Sequence, residues 1–477
     1  MKTVTATKAV LPSASLYKLG YAFIMAGLVF TTSCNKVLDQ SPQNEVQDAS
    51  SITNRKGGIA AMAGLYNELQ NSNYYGSNFL IISDVSSNQG QSIGTWDFYR
   101  EMDNYQVSLG NTENGNFYAR AYRAINQANN LIAAAPGLAD ASDADKNKMM
   151  GQAYFVRALA YFDLTRLYGG VPGVVGALGV PITLTPSRQI DESSFPPRAT
   201  LDASYKQVED DLLQAENLLL STADRSQASK GAARALLSRL YLYTGNFAKA
   251  AEYATLVIGE ANYALNPSYT DIFLTKLSTE SIFELNYNAA DVSNIRNWYF
   301  PTSSGGRGDL AAHTSFYEKA KADPKDIRGT LFGFAASAGI YYPTKYNKAG
   351  NIDNIHILRI AEMYLNRAEA RAKTNDLTGA IADLNVVRKR AGVDEVNPSG
   401  QAAVLAAIWN EQQLEFAFEG HSFFDYVRTG QALTQLVNVE RKNGPPVSLT
   451  IPGRQVFPMP SFEVDANSNI EQNEAYQ

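Results

Sequence analysis

Two segments far apart in this chain share one local plan, and that plan limits the folds open to it. RLYLYTGNFAKAAEYATLVI, starting at Arg239, and EARAKTNDLTGAIADLNVVR, starting at Glu369, each read as a helix, a tight turn and a second helix. Thr244-Gly245-Asn246-Phe247 corresponds to Thr374-Asn375-Asp376-Leu377, and Ala250 corresponds to Ala380. Gly and Asn are the residues that enter the left-handed conformation ending a helix, and a small Ala lets the second helix lie close against the first. The expectation is a mainly α fold built around such hairpins.

The hairpin looks like the tetratricopeptide unit, whose full period is ~34 residues. Apolar residues at helical spacing continue across 117–135, 149–168, 201–220, 231–244 and 247–258. In the second of these runs Val156, Leu159, Ala160, Leu164 and Leu167 make one apolar stripe flanked by Arg157 and Arg166, and Gly169-Gly170 with Pro172 mark its end. Two hairpins so far apart do not make a regular solenoid. They predict a helical scaffold over about 117–260 and 356–420, interrupted by insertions at about 71–116 and 262–354. Both insertions are rich in Gly, Asn, Ser, Tyr and Asp, and loops carried on a rigid scaffold are where binding is built.

The N-terminus has another character. Lys2, Lys8 and Lys18 lead into the apolar run LGYAFIMAGLVF at 19–30, followed by Thr31, Thr32 and Ser33. Such a run suits a signal h-region of roughly 7–15 residues and falls short of the ~20 needed to span a bilayer. The chain's single cysteine, Cys34, comes next, where a lipoprotein signal is cut and the new N-terminus lipid-modified. Residues 1–33 therefore read as a lipoprotein signal peptide, Cys34 as the lipidation site, 34–50 as a solvated tether and 51–477 as one domain. One cysteine excludes an intramolecular disulfide. With 41 Lys and Arg against 47 Asp and Glu, a net charge of -6, the folded body offers no basic field to nucleic acid.

Six segments carry a family resemblance: VRALAYFDLTRLYGGVP from Val156, SKGAARALLSRLYLYTGNFAKAAEYA from Ser229, ILRIAEMYLNRAEARA from Ile357, LNVVRKRAG from Leu384, LEFAFEGHSFFDYVRTG from Leu414 and VFPMPSFEVDANSNIEQN from Val456. In this order, almost from end to end of the mature chain, they resemble the SusD/RagB family of outer-membrane nutrient-binding lipoproteins. The resemblance implies a SusD-like α-helical fold with tetratricopeptide-like hairpins and a surface-exposed lipoprotein of the outer membrane. It also implies a SusC-like TonB-dependent transporter as partner, covered by this protein as a lid, and a shallow glycan site with no cofactor and no catalysis. Gln412 and Gln413 stand where the family usually has basic residues after Asn410-Glu411, and Tyr426-Val427-Arg428-Thr429 where it often shows an Arg-Trp pair before Gly430. Those departures speak against close kinship with one subgroup, not against membership.

The residues themselves favour binding over chemistry. His313, His356 and His421 stand apart from one another, without the spacing of a zinc site, and His421 reads as a dipole or capping residue at a helix end. Glu411 and Glu415 lie i,i+4 on one helix, which points both the same way and suits a solvated face better than a glycosidase cleft. Asp465-Ala466-Asn467 lacks the alternating ligands of an EF-hand loop, and a metal is left open. A sugar needs flat aromatic platforms and side chains that pair with hydroxyls. The first insertion supplies Trp96, Tyr99 and Asn104, and the second Tyr287, Trp298, Tyr299 and Arg307. Trp96, ahead of the helix near 117, resembles the place where SusD-like proteins carry a ligand-stacking aromatic. Trp409, in the apolar helix 404–418, reads as core, and Trp96 and Trp298 have a rival reading in which each pins its loop to the scaffold. The alternatives to glycan are peptide capture by the same arrangement and a protein-binding scaffold with no small-ligand site.

Overall fold

The computed structural model describes residue 3 and residues 52–188 and 191–477. Cys34 and the tether 34–50 lie outside them, as does all of the expected signal except residue 3. The helices that matter here are α1 (Arg55–Gln70), α2 (Asn78–Val85), α3 (Asp97–Asp103), α4 (Thr112–Ala134), α5 (Asp143–Leu164), α6 (Leu201–Leu218), α7 (Lys230–Tyr243), α8 (Phe247–Ile258), α9 (Ile295–Tyr299), α10 (Thr314–Lys321), α11 (Ile360–Lys373), α12 (Leu377–Arg390), α13 (Gln401–Glu415) and α14 (Ser422–Arg428). The strands are β1 (Gly90–Ser92), β2 (Leu178–Pro181), β3 (Arg198–Thr200), β4 (Ser281–Leu285), β5 (Leu310–Ala312), β6 (Phe332–Ala335), β7 (Ile340–Pro343) and β8 (Ile355–Arg359).

The two hairpins form as their turns dictate. Gly245 has φ +72° and Asn375 has φ +68°, both left-handed. Asn246 and Asp376 then cap the second helices, accepting from the amides of Lys249 and Gly379. Ala250 and Ala380 are fully buried, and the Ser238 hydroxyl donates to the Ala250 carbonyl where α8 crosses α7. Although far apart in sequence, the hairpins are neighbours: α4 packs on α5, then α6, α7 and α8 follow in turn, α8 packs on α11, and α11 packs on α12 and α13. The scaffold is thus one continuous helical stack, with 259–359 emerging between α8 and α11.

Helix starts differ from the apolar pattern where capping decides them. Asn111 accepts from the Asn114 amide, and Ser142 forms a capping box with Asp145. These caps start α4 and α5 a turn or more before the first apolar-periodic residue, because a polar first turn has no period to read. In α5 the expected single stripe is also corrected. The helix is buried on every side from Phe155 to Leu164, and Arg157 is interior, chelated by Asp211 through Nε at 2.8 Å and Nη2 at 2.6 Å. Arg166 is likewise buried, on Asp163. The chain then widens into a looser turn, Thr165–Gly169, closed by Gly170 at φ +99°, where a Cβ would lie 2.2 Å from the Val175 carbonyl oxygen.

The insertions are more structured than their composition predicts. Asn78–Val85 lies in the expected first insertion, yet all eight residues of α2 are buried, Phe79, Leu80, Ile81, Ile82 and Val85 in the main core. Strands from both insertions build one four-stranded sheet, in the order β1-β5-β7-β6. Its edge step, β1 on β5, joins the two insertions: Gly90 pairs with Ala312, Gln91 with Ala311 and Ser92 with Leu310, antiparallel. A second pair, β4 with β8, leads directly into α11.

Candidate functional site

The β1–β5 pairing brings the loop after β1 onto the loop before β5. The amides of Ile93 and Gly94 both donate to the Asp309 carbonyl at 2.9 and 3.0 Å, the Asp309 amide donates to the Trp298 carbonyl at 3.1 Å, and the Arg307 amide to the Asn297 carbonyl at 2.7 Å. Gly94 is needed for this approach, since a Cβ there would lie 2.5 Å from an Asp309 carboxylate oxygen. Three short pieces of backbone, around 94, 298 and 308, are thereby clamped together.

Their side chains form an aromatic surface. Trp96 stands at the N-cap of α3 with 43% of its surface exposed and stacks on Phe98, centroids 5.5 Å apart at 27°. Half-buried Trp298, on α9, meets Tyr99 edge-on at 5.2 Å and Phe98 at 6.4 Å. The Arg307 guanidinium bridges the two indoles, 5.0 Å from the Trp96 centroid and 4.5 Å from that of Trp298. Arg307 Nε donates to Asp309 Oδ2 at 2.7 Å, which fixes the plane of the fork.

The expected site residues separate into two groups. Trp96, Trp298 and Arg307 come together, and half-buried Asn104 closes α3 by its amide bond to the Arg100 carbonyl. The tyrosines are inside. Tyr99 is 2% exposed and donates to Asn78 Oδ1, and Tyr299 is 1% exposed and donates to Asp84 Oδ2. Burial raises both hydroxyls and the Asp84 carboxyl well above their ordinary ranges. Tyr287 is fully buried and donates to the Gln70 carbonyl, welding the end of β4 to α1 away from the indoles. The expectation of these three as surface platforms is corrected: a tyrosine whose hydroxyl finds an interior acceptor packs like phenylalanine. Phe98 and Asp309 complete the surface. Asp309 went unread; its only sequence signal is the Arg307-Gly308-Asp309 spacing within a glycine-rich turn.

Other candidate chemistry resolves as structure. Glu411 and Glu415, expected on a solvated face, have no exposed side-chain surface. Arg328 and Arg388 hold Glu411 at 2.5 and 2.8 Å, and Arg359 holds Glu415 at 2.9 Å, with Arg390 also bound to it. Burial alone would raise the Glu415 carboxyl, but Arg390, Arg359 and Arg328 hold it down at about 2. His421 begins α14 rather than ending a helix, stacks on Phe416 at 4.6 Å, and is held well below its usual range by burial and by surrounding arginines. A neutral ring is what a helix N-terminus tolerates. Trp409 is half-buried against the α11–α13 cluster, with the Lys373 ammonium 5.4 Å from its ring.

Comparison with known proteins accords with this architecture. The model described as the SusD family matches residues 287–476, and one described as starch-binding associating with outer membrane matches residues 36–242. SusD-like protein P2 of Formosa agariphila is 26% identical, over 96% of this chain and 99% of its own. The starch-binding protein SusD of Bacteroides thetaiotaomicron is 32% identical over 126 residues, 26% of this chain and 22% of that one. A crystal structure of a SusD superfamily protein from Bacteroides thetaiotaomicron superposes with a TM-score of 0.79 at 28% identity, covering 88% of this chain and 99% of that one. With one such model on each half of the sequence and the helical stack shared with a solved relative, the chain belongs to the SusD family.

Proposed function

We propose that this protein is a non-enzymatic receptor that captures oligosaccharide or polysaccharide fragments at the cell surface and passes them to a TonB-dependent outer-membrane transporter. The observation that carries the reading is the exposed Trp96 indole, set beside Trp298 by the joining of two insertions and bridged by Arg307. A pyranose presents a C–H face to an aromatic plane and hydroxyls to polar neighbours. The matching N-terminal family is described as starch-binding and associating with the outer membrane, and the SusD relative is a starch-binding protein, which favours the same reading. Peptide capture needs apolar side pockets, and a guanidinium lying across both indoles suits a polar ligand better.

Anchoring through Cys34 would place the receptor on the membrane, and among the described residues no helix is long and apolar enough to cross it. Transfer inward then requires a barrel supplied by a partner. Calorimetric titration of the purified protein with candidate glycans tests the binding step: Trp96→Ala and Trp298→Ala should each lose roughly 1–3 kcal/mol of affinity, the range for a base stacked on an aromatic side chain. Unchanged affinity with a lowered melting temperature would show instead that the indoles only pin their loops. Pull-down of the tagged protein from detergent-solubilised outer membranes tests the partner, and uptake that persists after deletion of the co-captured barrel would end that part of the reading.

A further inference from the structure

The indole pair holds a cation, and the way it is held bears on the charge of the ligand. We infer that the glycan seated at Trp96 and Trp298 carries an anionic substituent, a uronate carboxylate or a sulfate ester, received by the free edge of Arg307; this rests on the glycan reading above. The contrast is with the arginines of the interior. Arg157 gives Nε and Nη2 to the two oxygens of Asp211, and Arg239 gives Nε and Nη2 to those of Glu362, at 2.6 and 2.7 Å. Their forks are closed by carboxylates. Arg307 spends only Nε, on Asp309, and neither Nη has a protein acceptor among the described residues. Its side chain is 38% exposed.

A guanidinium carries five N–H donors in a planar fork that matches two oxygens of a carboxylate or sulfate. In Arg307 that plane is set by Asp309 on one edge and by an indole at 4.5 and another at 5.0 Å. An arginine serving only as a spacer between rings would have no need of an open fork.

A second guanidinium nearby is free of any carboxylate among the described residues. Arg100 lies one turn beyond Trp96 on α3 and Arg296 lies on α9 with Trp298. Arg100 pairs with Asp97 and Arg307 with Asp309, whereas Arg296 gives Nη2 to the Ser304 carbonyl, lies 4.1 Å from the Phe300 ring and has no carboxylate partner among the described residues. With Asp97, Glu101 and Asp103 on α3 and Asp309 beside it, these elements carry no surplus of positive charge, and what distinguishes Arg296 is that no carboxylate among the described residues holds it. Asp309 already takes part of the field of Arg307, so the ligand gains mainly from geometry, through two parallel hydrogen bonds, and less from long-range attraction.

The test uses the mature protein and two matched pairs of probes: oligogalacturonate with its carboxyl-reduced form, and a sulfated galactan oligosaccharide with its desulfated form. Calorimetry should show one acidic probe binding about tenfold or more tightly than its neutral counterpart, the loss expected when a hydrogen-bonded charge is removed. That preference should shrink as salt rises, and which pair shows it separates carboxylate from sulfate. Arg307→Gln should bind the acidic and neutral members alike at an unchanged melting temperature, and Arg307→Lys should recover only part of the preference, because an ammonium has no fork. If a neutral member binds as well as its acidic partner, the inference fails and the glycan reading stands. If Arg307→Gln keeps the acid preference, the inference fails too, since the anion is then received elsewhere. If none of the four probes binds, both the inference and the glycan reading are contradicted.

Discussion

Arg359→Met removes one member of a balanced charge cluster in the interior. Arg328, Lys345, Arg359, Arg388 and Arg390 face Glu280, Asp326, Glu411, Glu415 and Glu419, five cations to five carboxylates. Arg359 touches Glu280 and Glu415 at 2.9 Å and Glu419 at 2.8 Å. Met fills much of the same volume, so the main loss is electrostatic. Glu280 keeps Arg390, Glu415 keeps Arg390 and Arg328, and Glu419 keeps Lys345, but one buried negative charge is left over. Breaking a buried pair from one side costs about 3–5 kcal/mol. At the ~0.9 kcal/mol per kelvin that unfolding entropy gives a domain of this length, the melting temperature should fall roughly 3–6 °C. Calorimetry at pH 7 measures it, and two controls identify the cause. Arg359→Met with Glu419→Gln restores the balance and should recover a substantial part of the loss, and the deficit of the single variant should narrow as pH falls and the surplus carboxylate takes a proton. A single variant melting within a degree of the parent, or a double variant no better than the single, would refute the charge-balance argument.

Further outcomes follow from local geometry. Arg390, Arg359 and Arg328 hold the Glu415 carboxyl below its ordinary 4.5, so its stabilisation is complete above pH 4.5 and is lost as pH falls from there; acid melts should show Glu415→Gln with a flatter slope in that window. Gly245→Ala meets no atom within 4 Å, so only the left-handed backbone opposes it, at about 1 kcal/mol, whereas Gly245→Asn should be close to neutral because Asn375 already occupies the equivalent turn; thermal melts of the two compare them directly. Cys34→Ser should abolish lipid labelling and move the protein from membrane to soluble fractions, and a variant still membrane-bound, with no label on the parent, would exclude the anchor.

The hairpins could be read from the sequence because their information is local. Thr-Gly-Asn and Thr-Asn-Asp each supply a left-handed residue followed by a capping side chain, and the structure uses each in that role. Helix α2 could not be read. NFLIISDV is eight residues long and buried all round, so it shows neither a polar face nor enough turns to reveal a period. Arg157, Arg166, Glu411 and Glu415 misled for a related reason: a charged residue normally marks the solvent side, and only the tertiary fold reveals that each has an opposite charge waiting inside.

At the candidate site the sequence showed the ingredients without their arrangement. Trp96 and Trp298 stand out as indoles among polar loop residues, but what joins them is the pairing of Gly90–Ser92 with Leu310–Ala312. GQS and LAA are three residues each and carry no alternating pattern, so no periodicity announces them as strands or selects their register. Once paired, they dictate the rest. The Asp309 carbonyl collects the amides of Ile93 and Gly94, the turn containing Arg307 is drawn under Trp298, and the guanidinium lands between the indoles. The buried tyrosines hold this surface from below, Tyr99 through Asn78 and Tyr299 through Asp84, both acceptors lying on α2. The unread helix is therefore the floor of the site. The aromatic surface depends on contacts made by α2 in the core as well as on the loops that display it.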